Sequence, residues 1–238
     1  KNIVRTSSFT RYEEQERHYS QIPKAHFKLF YESPFDQSEV YVLLDVLFEE
    51  NPYSRLESID IICPFIDTTP PNVTVKVPSI ADILGDKLTA FAPNTTGILY
   101  DKEKEMEIIK QLFDIESLFD QLSTTNGVKD TFIRCAEQEL NYRQLTEMNY
   151  ENVLDDIFKT AIIIGGRGSF DKETFLKLEN GIRRIKSHII NRNYIVEEAV
   201  VSASKAAYLS MLLKHQQDEI EKYHPKETLP ELEGVPLF

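Results

Sequence analysis

Cysteine is scarce in this sequence. Cys63 and Cys135 are the only two, too few for a disulfide scaffold and without metal-ligand spacing, which predicts a reducing, cytoplasmic setting. Long apolar runs are also missing. No stretch approaches the ~20 residues of a membrane span, and no signal-peptide pattern stands at the start, so no membrane association is expected. Positive charge is in deficit, with 27 Lys and Arg against 39 Asp and Glu and a net charge of −12. That balance argues against broad, nonspecific nucleic-acid binding. It leaves room for a local basic surface, because GIRRIKSHIINRNY carries Arg183, Arg184, Lys186, His188 and Arg192 within about three helical turns. That stretch reads either as a solvated helix face or as an RNA or phosphate contact. Repeats and low-complexity segments are absent.

What is present suits a packed protein. The 238 residues are 41% hydrophobic and 28% charged, enough for one large domain or two small ones. Residues 26–77 favour strands. HFKLFYES alternates Phe27, Leu29 and Tyr31 against Lys28 and Glu32, while EVYVLLDVLFEE is almost continuously apolar, the pattern of a strand covered on both faces. RLESIDIICPFI and NVTVKVPS supply two more strands around the turn DTTPPN. Connections this short imply antiparallel pairing.

From residue 78 onward the pattern is helical, over 79–92, 103–122, 128–140, 150–163, 171–192, 195–214 and 216–223. An extended tail follows, jointed at Pro225, Pro230 and Pro236. The fold class expected is α+β. A sheet region with the first helix is placed at 1–92 and a helical domain at 93–238. The opening segment RYEEQERHYSQI reads as a short polar helix. A sheet that starts after it has few strands for its size, which predicts further sequence upstream of Lys1.

Three polar residues occupy apolar places. Asp45 shares strand parity with Tyr41, Leu43 and Leu47, and a desolvated carboxylate there needs cations or donors. It reads as a metal-binding or catalytic carboxylate, or as a strand-end Asp satisfied by an Arg or a backbone N–H. Lys87 lies in VPSIADILGDKLTAFAP, inside the helical arc of Ile80, Ile83, Leu84 and Phe91, with Asp82 and Asp86 pointing elsewhere. Its ammonium either snorkels to water or meets an anion such as a phosphate or Asp45. Asp114 sits at the margin of the broad apolar face formed by Ile108, Ile109, Leu112, Ile115, Leu118, Phe119 and Leu122. A surface pair with Lys110 is its plainest account.

In this order, the strand Asp, VPSIADILGDKLTA and IIKQLFDIESLF resemble the AbiEii/AbiGii nucleotidyltransferase toxin family. There a strand carboxylate precedes a helix of the form xxxDhhxxKhxA, with h apolar, and a later helix carries a pattern like RDhYDhY. Lys87 matches the motif lysine and Asp114 the second Asp, whereas Lys110 replaces the Arg and Gln111 stands at the first Asp. FLKLENGIRRIKSHI and VSASKAAYLSML are similar to the family's C-terminal helices. The resemblance implies a polymerase-β-like core with a helical C-terminal domain. It also implies nucleotide transfer from an NTP, with Mg²⁺, to an acceptor such as RNA, and a bacterial toxin restrained by an antitoxin. Asp45 would be the third metal-site carboxylate, Lys87 would meet triphosphate oxygens, and Asp114 would orient Lys87 or the acceptor. Lys28, Arg134, Arg183 and Arg184 are further candidates for RNA contact.

One family feature has no match. A Gly-Gly or Gly-Ser turn followed by Asp-x-Asp should precede the strands, yet residues 1–40 contain neither a DxD nor a glycine. The expectations are an N-terminally incomplete enzyme, inactive as this chain alone, or a noncatalytic module that binds nucleotide, RNA or protein. IIIGGRGSFDKE offers Gly165, Gly166, Asp171 and Glu173, but between predicted helices. It reads as a helix-ending glycine pair and a new helix capped at Ser169 or Asp171.

Overall fold

The computed structural model describes residues 4–5, 7–15, 22–64, 67–100 and 103–223. Among these, five strands precede six helices: β1 (Arg11–Gln15), β2 (Lys24–Glu32), β3 (Glu39–Leu47), β4 (Leu56–Asp60) and β5 (Thr74–Pro78), then α1 (Ile80–Ala90), α2 (Glu105–Phe119), α3 (Val128–Tyr142), α4 (Tyr150–Gly165), α5 (Lys172–Ile185) and α6 (Val196–Lys214). The class is α+β. The chain divides into two compact units, Lys1–Asn51 and Pro52–Phe238.

The first unit holds an antiparallel sheet ordered β1-β2-β3. Its register sets Arg11 and Tyr41 on either side of Phe30, and His26 opposite Asp45. Phe30 is buried beneath the Arg11 guanidinium, 3.5 Å from the ring centroid, and that guanidinium is held by Glu39 and Glu13. Arg11–Gln15 is therefore strand where a polar helix is expected. Pairing with β2 and a Tyr12–Phe27 ring contact outweigh a charge-rich local sequence, as tertiary context commonly does. The remainder of that expected helix, residues 16–21, lies outside the described residues. Strand β3 also departs from expectation. Tyr41, Val42, Leu43 and Leu47 are about half exposed, because β3 is an outer strand of a sheet only three strands wide.

The second unit opens with the antiparallel hairpin β4–β5, in which Ser58 faces Lys76. Helix α2 is central to the rest, packing on α1, α5 and α6, while α4 packs along α6 and α1 on α3. Leu84 and Leu88 of α1, Phe91 just past its end, and Ile108, Ile109, Leu112 and Ile115 of α2 are fully buried, each stabilising by roughly 1.5–3 kcal/mol. Two glycines permit close approach. A Cβ on Gly85 would stand 2.5 Å from the Val128 carbonyl oxygen of α3, and one on Gly181 of α5 would stand 2.6 Å from the Glu105 carbonyl oxygen of α2.

Helix ends mostly follow the expected signals. Gly165 and Gly166 close α4, and Asp171 caps α5 by accepting from the Thr174 N–H at 3.0 Å. Ser169 instead donates to the Gly166 carbonyl. Helix α5 stops at Ile185, and a 3-10 turn covers Lys186–His188. The helix expected at 216–223 does not form. Gln216 adopts φ 55°, which ends α6, and the next residues pair in extended form with the 123–125 segment through Thr125 N–H to Asp218 O and Ile220 N–H to Ser123 O. The proline-jointed tail lies outside the described residues.

Candidate active site

The conformation of α1 governs where Lys87 points. Ser79 caps the helix, accepting from the Asp82 N–H at 3.2 Å. Asp82 is not directed away from the core, as the helical wheel implies, but is buried. It accepts from the backbone N–H groups of Ser54 at 2.8 Å and Arg55 at 3.1 Å, and from the hydroxyls of Ser79 and Thr131. Burial pushes its pKa upward, but these bonds outweigh burial and hold it below the usual carboxylate value. The motif Asp is thus a joint between the approach to β4, the start of α1 and α3.

One turn and a half further along α1, the Lys87 ammonium lies 2.9 Å from Asp114 Oδ2 and donates to Gln111 Oε1 at 3.3 Å, both on α2. Asp114 therefore meets Lys87, whereas the sequence pattern alone allows a same-helix pair with Lys110. Both side chains are about one-third exposed, 32% and 31%. At that exposure the pair itself stabilises by roughly 0–1 kcal/mol, so its importance is geometric. An ammonium has three donors. The two acceptors described here fix its direction and leave capacity for an incoming anion.

Asp114 also lines a cavity of about 250 Å³ between α2 and the end of α5, together with Met106, Phe113, Lys110, Ile185 and His188. Two residues on, Glu116 faces the opposite way. It is buried and bound by Arg192, Ser202 and Lys205. Burial raises its pKa, and the bonds from Arg192 and Ser202, helped by Lys205, more than reverse this, leaving it below the ordinary range. The Ser202 hydroxyl in turn accepts from Tyr194 at 2.9 Å. This network ties α2 to α6 and so steadies the helix that carries Gln111 and Asp114. No sequence signal pointed to it, since its members are spread over residues 116–205.

Asp45 belongs to the other unit. It lies on β3 with its side chain 66% exposed, and its Oδ1 is 2.5 Å from Nδ1 of His26, whose side chain is only 8% exposed. The carboxylate is therefore not desolvated as an apolar strand implies. His26 is a partner that sequence reasoning missed; alternation on β2 is the signal that places it on the same face. The buried Nε2 of His26 has no hydrogen-bond partner among the described residues. No group of three or more His, Cys, Asp and Glu able to hold a metal ion occurs among the described residues. They do not by themselves fit a resident magnesium centre.

The basic stretch divides. Arg192 is taken by Glu116 and Glu198, Arg183 pairs with Glu179 at 3.0 Å, and Arg184 approaches Glu105 at 4.0 Å. Elsewhere, Lys28 sits over the Tyr41 ring at 4.4 Å, and Arg134 donates to the Ser54 hydroxyl. Among the described residues no helix is long and apolar enough to cross a membrane. A family model described as "Nucleotidyl transferase AbiEii toxin, Type IV TA system" matches residues 3–216. No curated protein and no solved structure matches the chain.

Proposed function

We propose a nucleotide-transfer function for this chain, which belongs to the AbiEii nucleotidyl transferase toxin family of type IV toxin–antitoxin systems. In this reading an acceptor hydroxyl, on an RNA, attacks the α-phosphorus of an NTP. The new phosphodiester bond forms as the bond to pyrophosphate breaks, and the hydroxyl proton leaves to solvent or base. The observation that supports it is the Lys87 ammonium held by Asp114 and Gln111. A fixed cation beside developing phosphate charge stabilises the transition state without reorganising. Lys87 meets the triphosphate oxygens, Asp114 keeps it aimed, and Asp45 is offered as a metal-site carboxylate. Magnesium is proposed as the companion of the NTP. With one such carboxylate among the described residues, no step is assigned to it. An antitoxin partner follows from the family, and a cytoplasmic setting is part of the proposal, consistent with two free cysteines.

The test is transfer of label from an NTP to RNA by Lys87→Met and Lys87→Arg. Removing one electrostatic donor of this kind costs about 10²–10³ in rate. Full activity in Lys87→Met sinks the assignment. The lack of a metal-capable cluster among the described residues favours a second reading, a noncatalytic module for nucleotide, RNA or protein. RNA binding that is tight and indifferent to both Mg²⁺ and Asp45→Ala would mark it.

A further inference from the structure

Of the residues assigned above, Asp114 lines the cavity between α2 and the end of α5, and the other lining residues have no role yet. Met106, Lys110, Phe113 and Asp114 follow one another at helical spacing on a single face of α2, and Ile185, His188 and Ile189 close the slot from the other side. Nearby, Gly181, lacking a Cβ, lets α5 approach the start of α2. The lining of the slot is mixed: Met106, Phe113, Ile185 and Ile189 are apolar, Lys110 and His188 are exposed nitrogen donors, and Glu107 and Asp114 are carboxylates. The Phe113 ring is fixed, edge-on to Tyr194 with centroids 5.4 Å apart and with the Arg192 guanidinium 5.0 Å away.

We propose that this cavity is a nucleobase slot, resting on the nucleotide-transfer reading: a flat base stacks between the apolar walls and its phosphate lies on Lys110 and His188. An aliphatic ligand has no use for the Lys110 ammonium, and a bare anion none for four apolar side chains. A nucleotide unit needs both. At about 250 Å³ the slot is below the roughly 300–1,000 Å³ of whole-ligand pockets, which suits one base. The Glu107 carboxylate in the lining offers an acceptor to base N–H groups. Asp114 both lines the slot and holds Lys87, so a base seated there lies beside the residues assigned to transfer. The base can come from a free nucleotide or from the terminal nucleotide of an RNA acceptor.

The sequence provides a direct probe. It has three methionines, and only Met106 lines the slot, so ¹³C-methyl methionine spectra of the unaltered protein report the slot against Met148 and Met211 as internal controls. The protein is titrated with CMP and AMP, and separately with a short single-stranded oligoribonucleotide, without Mg²⁺. The expected result is a saturable shift of Met106 alone, its midpoint raised about tenfold by Lys110→Glu, which reverses the charge of an exposed lining residue offered to the phosphate. A response to the mononucleotides assigns the slot to the incoming nucleotide, and a response to the oligoribonucleotide alone assigns it to the acceptor. A Met106 signal unmoved by either probe, or moved equally in Lys110→Glu, overturns the slot. If label transfer persists while Met106 is silent, only the slot falls. If Met106 responds but no label is transferred, only the transferase reading falls.

Discussion

Replacing Asp82 by asparagine keeps shape and removes one charge, and the outcome follows from its bonds. Ser54 N–H goes to Oδ1 with the Thr131 hydroxyl, whereas Arg55 N–H goes to Oδ2 with the Ser79 hydroxyl. Whichever oxygen becomes the amide nitrogen, one hydroxyl and one backbone N–H then face a donor. The hydroxyl rotates to accept; the backbone N–H cannot. One orphaned donor costs about 1–3 kcal/mol, and the remaining bonds lose their charge assistance. Release from burying a charge offsets part of this. The net expectation is about 2–4 kcal/mol for Asp82→Asn. Asp82→Ala removes both acceptors, but the adjoining cavity of about 330 Å³, lined by Ser54, Arg55 and Asp82, admits water, which holds its cost to about 3–5 kcal/mol. Urea titration followed by far-UV circular dichroism reads mainly the helical unit, and the midpoint should fall with little change in slope. A melting point lower by about 5–15 °C is the thermal counterpart. Asp82→Asn within about 0.5 kcal/mol of the parent refutes the reasoning.

Asp82 and Glu116 have depressed pKa values in the folded state. Their contribution is complete above the unfolded carboxylate values, about 3.9–4.3, and is lost as pH falls through the lower folded values. Denaturation midpoints should therefore drop steeply below about pH 4, and the drop should flatten in Asp82→Asn and Glu116→Gln; an unchanged acid slope contradicts it. Glu116→Ala removes the buried acceptor shared by Arg192, Lys205 and Ser202, leaving the two cations only Glu198 and Asp120, and should cost about 2–4 kcal/mol in urea titrations; a variant as stable as the parent contradicts it. Gly85→Ala drives a methyl into the Val128 carbonyl and should destabilise by about 1–3 kcal/mol; a neutral result would mean that α1 and α3 separate freely.

Much of this arrangement was legible in the sequence, and the exceptions share a cause. Periodicity located α1 to α6, and short connections gave the antiparallel β2–β3 and β4–β5 pairs, because each signal lies within one element or one turn. The motif lysine and Asp114 were recognisable one by one, but only packing of α1 on α2 shows that they meet. Asp82 was misplaced because a helical wheel sees one helix, whereas its donors come from Ser54, Arg55 and Thr131. The charge-rich β1 and the exposed flank of β3 depend on neighbouring strands, not on their own composition. His26 and Glu116 acquire their roles from partners 19 to 89 residues distant.

The central claim is that the Lys87 ammonium, aimed by Asp114, serves a nucleotide. The most direct test expresses the protein from its entire reading frame and follows label from an α-labelled NTP into RNA, comparing the parent with Lys87→Met, with circular dichroism to confirm folding. The account predicts labelled RNA from the parent and a loss of at least about 100-fold in the variant. Undiminished labelling by folded Lys87→Met, or no labelling by the parent with any NTP, contradicts it.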